Sequence, residues 1–142
     1  FPTSSLVTYT KSAASPCFPV HQGSYAGIAF RDSHDPIRVE NHIGFFGFWS
    51  GTEKIIVDQM ALTDPLLSRL PVDNSINWRP GHYQRKIPQG YIESILTGRN
   101  LVVDPETREL YTCVKAVASE PLWSSYRWKN IAYLNLPFLF VE

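Results

Sequence analysis

The segment Trp78-Arg79-Pro80-Gly81-His82-Tyr83-Gln84-Arg85 gathers the side chains of this chain best suited to hold an anion or a sugar. Arginine offers a planar fork of N–H donors that matches phosphate or carboxylate, and histidine titrates near neutral pH. Trp78 and Tyr83 add aromatic faces, and Lys86 follows as a further cation. Arg79, His82 and Arg85, with Trp78 and Tyr83, are therefore candidate substrate-binding residues. The competing expectation is architectural, with the arginines paired to nearby acids and His82 anchoring a loop.

Two carboxylates stand out upstream. Asp58 closes the apolar run Ile55-Ile56-Val57, and residues at such strand ends often line sites in α/β folds. It is a sixth candidate for substrate binding. Asp64, in Thr63-Asp64-Pro65, either binds substrate hydroxyls or only favours a helix N-terminus, where a negative charge is stabilised. No catalytic residue is assigned. Ser24, Ser50 and Ser68 lack the GxSxG setting of a serine hydrolase, and neither GxGxxG nor a phosphate loop occurs. Glu106 and Glu109 read as a solvated helix face rather than a paired acid and base. A small stand-alone hydrolase built on Asp58 and His82 would require a pocket that joins the two.

The elements that must position these residues follow from pattern. The first 24 residues are rich in Ser, Thr and Pro and read as loop with one short extended piece. Ser24 to Phe30 and the aromatic Ile43 to Trp49 read as short strands, with a turn at His34-Asp35-Pro36 between them. Lys54 to Val57 reads as a neighbouring strand after the turn at Ser50-Gly51-Thr52. Helices are expected after Thr63-Asp64-Pro65 with Thr63 as cap, and after Pro88 with Gly98 as C-terminal cap. Two more are expected, from Asp104-Pro105 and from Ser124 or Ser125, with a final strand over Leu136 to Val141. Strands thus come first and helices later. The fold class expected is mixed α/β (α+β), a small mixed sheet from the N-terminal half packed by three to four helices from the C-terminal half.

The chain has 142 residues, 44% hydrophobic and 18% charged, with 13 basic and 13 acidic side chains. That suits a single soluble domain over 1–142, long enough to bury roughly 70% of its unfolded surface without metal or bridge. A formal net charge of zero gives no overall electrostatic case for nucleic acid or an anionic membrane. Cys17 and Cys113 are open to either a disulfide or two buried thiols. No Cys/His spacing suggests zinc, and no metal or cofactor is expected. The start Phe1-Pro2-Thr3 has no signal-peptide pattern and no initiator Met, so the chain reads as a mature product or an excised piece.

Several short motifs recur in a familiar order. These are Ile55-Ile56-Val57-Asp58, Ala61-Leu62-Thr63-Asp64-Pro65-Leu66-Leu67-Ser68-Arg69-Leu70-Pro71, the Trp78–Arg85 segment, Ile87-Pro88-Gln89-Gly90-Tyr91, Asn100 and Val103-Asp104-Pro105. Together, from about Ile43 to Asn135, they resemble the soluble C-terminal portion of membrane-embedded, arabinofuranosyltransferase-like glycosyltransferases. The resemblance implies a periplasmic, extracytoplasmic domain tethered to the inner membrane by the membrane helices of its parent protein. Those helices and their catalytic acid are absent from this chain. What the resemblance leaves for this piece is contact with a glycan acceptor or a polyprenyl-phosphate-linked sugar through Arg79, His82 and Arg85. The alternative is a protein-interaction or structural module whose aromatic residues are core.

Overall fold

The computed structural model describes residues 11–12, 15–19, 21–73 and 83–136. The fold is mixed α/β, with five α-helices and short strands among the described residues. By internal contacts it divides into two compact units, residues 1–60 and 61–142.

In the first unit, β1 (Lys11–Ser12) pairs antiparallel with β2 (Ser15–Pro19). Next come α1 (Gln22–Asp32), β3 (Ile37–Glu40), α2 (Ile43–Ser50) and β4 (Ile55–Asp58). β3 and β4 run parallel in the register Ile37↔Ile55 to Glu40↔Asp58. Parallel neighbours need a crossover, and α2 supplies it.

Three sequence expectations fail here. Ser24–Phe30 and Ile43–Trp49 are helical, and the expected loop to residue 24 ends when α1 begins at Gln22. A short apolar run does not by itself distinguish a buried strand from a buried helix. In α1 the deciding features are local. The His21 ring accepts from the Gly23 amide through Nδ1 at 3.0 Å, and Ser24, Gly27 and Phe30 share one buried face. An added Cβ on Gly27 would lie 2.5 Å from the Phe46 carbonyl oxygen, so the missing side chain lets α1 and α2 close on each other. Phe30 and Phe46 then stack at 5.6 Å, with the Arg38 guanidinium 5.3 Å from the Phe46 ring and the Lys54 ammonium 5.1 Å from that of Phe30. Lys54 also donates to the carbonyls of Ser33 and Asp35, each at 2.7 Å, which ties the start of β4 to the turn after α1.

The second unit holds one turn of 3-10 helix (Leu67–Arg69), α3 (Tyr91–Thr97), α4 (Pro105–Ser119) and α5 (Ser125–Asn135). The helix expected after Pro65 is thus reduced to that single turn. Its N-cap residue is Leu66, not Thr63, and makes no side-chain cap bond; just before it, Asp64 Oδ1 accepts from the amides of Leu66 (3.0 Å) and Leu67 (2.8 Å). Gly98 ends α3 in the left-handed conformation, at φ 71°, as expected. Asp104 caps α4 by accepting the Thr107 amide at 2.8 Å, and Ser124 caps α5. The core gathers Leu66, Leu67, Tyr91, Val102, Tyr111 and Val114. Cys113 is a free, buried thiol. Of the strand expected over Leu136–Val141, residues 137–141 lie outside the described residues, and Leu136 itself is the C-terminal cap residue of α5.

Candidate functional site

In the second unit three chain segments converge on an open groove of about 910 Å³. Leu70, Pro71, Val72 and Asp73 form one wall and Lys86, Pro88 and Gln89 another. The third comes from Val103, Asp104, Pro105 and Thr107 at the start of α4.

The groove is held open by backbone pairing on two sides. Val72 bridges Arg85 antiparallel, and the Asp73 amide donates to the Gln84 carbonyl at 2.9 Å. These bonds clamp the two stems between which the chain runs from Asp73 to Tyr83. Opposite, the Val103 amide donates to the Gln89 carbonyl at 3.0 Å, and the Leu101 amide donates to Ser94 Oγ at 2.7 Å. Arg108 locks the same strip from α4, with Nε donating to the Val102 carbonyl at 2.5 Å. Asn100 donates through Nδ2 to the Arg108 carbonyl and to Thr112 Oγ1, both at 2.8 Å.

Beneath this strip lies a buried polar cluster. The Tyr91 hydroxyl donates to the Asp64 carboxylate, at 3.0 Å from Oδ1 and 3.1 Å from Oδ2, and its ring meets Tyr111 edge-on at 5.2 Å. Burial first, then the Asp64 charge, pushes the Tyr91 phenol far above its ordinary pKa of 10.0, and burial raises Tyr111 as well. A phenol raised in the folded state leaves the unfolded chain to ionise first as pH climbs. Its stabilisation is therefore whole below about pH 10 and is lost progressively above that value. Thermal melts across the alkaline range should show Tm falling from about pH 10 upward, and falling less steeply in Tyr91→Phe. Parallel curves for the two proteins would show that Tyr91 does not carry the effect.

Of the six candidate residues, Trp78, Arg79 and His82 lie outside the described residues. Tyr83 and Arg85 come together at the exit stem, where Arg85 Nη1 donates to the Tyr83 carbonyl at 2.5 Å. Asp58 belongs to the other unit. Its carboxylate is fully buried and accepts the Met60 amide at 3.0 Å, which shapes the turn after β4. Asp64, read from sequence as substrate ligand or helix-end charge, takes the second role and serves the core. Thr107 donates through its hydroxyl (2.6 Å) and its amide to Asp104, and holds that carboxyl below the usual range.

Sequence reasoning missed Asp73, Gln89 and Thr107 as groove residues and noted Lys86 only as a further cation. Pro71, Pro88 and Pro105 punctuate the three segments, which is the one local signal that they are loops. That the loops meet is a tertiary fact. Among the described residues no group of three or more His, Cys, Asp or Glu side chains comes together as a metal site would need. No described helix is long and apolar enough to cross a membrane. Compared with known proteins, the chain matches no family model, no curated protein and no solved structure.

Proposed function

We propose that the groove of the second unit is a non-catalytic contact surface for a sugar chain or a polyprenyl-phosphate-linked sugar. In this reading the chain is an extracytoplasmic accessory part of a membrane glycosyltransferase, working beside the membrane helices of its parent protein. One observation carries it: Asp73 and Lys86, which flank residues 74–85 in the chain, both line the groove, and Val72 of its wall pairs with Arg85. The groove is therefore lined by residues on either side, in sequence, of the stretch richest in anion-binding and aromatic side chains.

The lining suits such a ligand. Leu70, Val72, Val103 and the three prolines offer apolar faces to the C–H side of a sugar ring. Asp73, Gln89 and Thr107 offer hydrogen-bonding groups for its hydroxyls, and Lys86 a charge for a phosphate. Asp73 and Asp104 put negative charge on the same surface, so Lys86, with Arg79 and His82, has to carry any phosphate contact.

Titration with arabinan fragments and, separately, with a short polyprenyl phosphate tests the reading. Lys86→Ala, and the pair Arg79→Ala and His82→Ala, are expected to weaken the phosphate ligand by about 10- to 100-fold, the worth of one charged hydrogen bond. Thr107→Val should preferentially weaken the arabinan. Absence of binding to either ligand, or equal binding by every variant, would overturn the proposal.

The interaction-module alternative draws on a different feature, the exposed apolar side chains on and before α5. None of them lines the groove.

A further inference from the structure

The stretch from Pro121 to Leu136 contains Arg127 and Lys129 and no Asp or Glu, in a chain with 13 basic and 13 acidic residues in all. Among the described residues it also holds a cluster of exposed large apolar side chains. In the turn before α5, Trp123 is 89% exposed and Leu122 66%. On the helix, Trp128 is 54% exposed, and it stands in a row with Ala132 and Leu136 at the i, i+4, i+8 spacing that aligns side chains along one face. Lys129 and Tyr133, again four residues apart, form the adjacent row; both are exposed, and they line a small open cavity with Glu109 and Cys113 of α4. The opposite side of α5 faces inward, with Asn130 buried and its Nδ2 donating to the Tyr126 carbonyl.

We infer that the turn 121–124 and the outer face of α5 form a docking surface for an anionic lipid bilayer, lying in the headgroup layer without spanning it. Tryptophan and tyrosine combine an apolar body with a polar edge, which suits them to the boundary between headgroups and acyl chains. Apolar side chains at that depth, next to cations and without carboxylates in the same stretch, make a surface that anionic headgroups attract. A second copy of the chain is a poorer occupant. Pairing this face with itself would set Arg127 and Lys129 against their own counterparts, with Glu109 of α4, beside Lys129, the one acid that shares a cavity with the face among the described residues. Glu120, at the edge of the stretch, already receives the Ser124 hydroxyl, and its carbonyl accepts Arg127 Nη1 at 2.7 Å, which fixes the turn carrying Trp123.

Co-sedimentation of the full chain with phosphatidylcholine vesicles, with and without phosphatidylglycerol, tests the inference, with tryptophan emission followed in parallel. The protein should bind the mixed vesicles with a blue-shifted emission, and bind pure phosphatidylcholine about tenfold less, as loss of attraction to two cations implies. Trp123→Ser with Trp128→Ser should remove binding and blue shift while leaving the far-UV circular dichroism and Tm unchanged. Lys129→Glu should weaken binding to the mixed vesicles and leave the weak binding to phosphatidylcholine alone. Lys86→Ala should bind vesicles as the parent chain does, which separates this surface from the groove.

The inference fails on any of four results. These are no binding to the mixed vesicles, equal binding by the double tryptophan variant, or indoles at 123 and 128 already shielded from acrylamide in free protein. The fourth is a concentration-dependent dimer that the double variant dissolves, which would give the face to a second copy.

Discussion

Gly90→Ala is expected to lower Tm by more than about 10 °C, the largest effect of any single methyl group among the described residues. A Cβ at this position would lie 2.0 Å from the Leu101 carbonyl oxygen and 2.7 Å from its carbon. Both are backbone atoms, so no side chain can swing aside. The residue also sits at φ 84°, in the left-handed region that disfavours a Cβ. Overpacking and backbone strain together cost on the order of 3–5 kcal/mol. The close approach is what allows the Gln89–Val103 bond and the Ser94–Leu101 bond to form, and through them the third wall of the groove. Gly98→Ala is the matched control. Its φ is 71°, yet nothing lies within 4 Å of the added Cβ, so only the strain of about 1 kcal/mol remains. Equal loss of Tm in the two variants, read by calorimetry, would show that the approach of Gly90 to Leu101 is not what the alanine disturbs.

Asp64→Ala should follow closely, with a loss of about 3 kcal/mol or more. The carboxylate is 6% exposed and accepts from two backbone amides and the Tyr91 hydroxyl. Removing it leaves three donors in the interior with no acceptor in place, and each buried donor stranded this way costs about 1–3 kcal/mol. Asp64→Asn keeps a carbonyl oxygen for the amides and should cost less. Because Tyr91 and Asp64 share one bond, the double variant Asp64→Ala with Tyr91→Phe should be less destabilised than the two single losses summed. Urea unfolding of the four proteins supplies that cycle, and strict additivity would mean that the hydroxyl and the carboxylate do not act together.

Much of the second unit was legible because its signals are local. Asp104 and Ser124 cap α4 and α5 by accepting from amides three residues on, and Gly98 terminates α3 by its own φ. Such signals survive without knowledge of the rest of the chain. The first unit was read less well for the complementary reason. Ile43–Trp49 is apolar on every side, so it has no period to reveal a helix. Ile37–Glu40 pairs with β4 although Arg38 and Glu40 interrupt its apolar pattern, and they do so as an ion pair at 2.9 Å. In α3 the spacing of Tyr91, Ile92, Ile95 and Leu96 announced a helix, but the structure buries Tyr91 and Ser94 and leaves Leu96 48% exposed. The period gives the helix, and the neighbours choose its face.

By itself, then, the sequence determined the mixed α/β fold class and the caps of the later helices. Each of these depends on residue type and on spacings of a few positions. Tertiary structure decided that Asp58 and Asp64 are spent on a turn and a core, since only packing reveals which amides lie within reach of a carboxylate. It also decided that Asp73, Lys86, Gln89 and Thr107 share one groove. They come from segments more than ten residues apart, brought together by a glycine without a Cβ and by backbone bonds that no local pattern encodes.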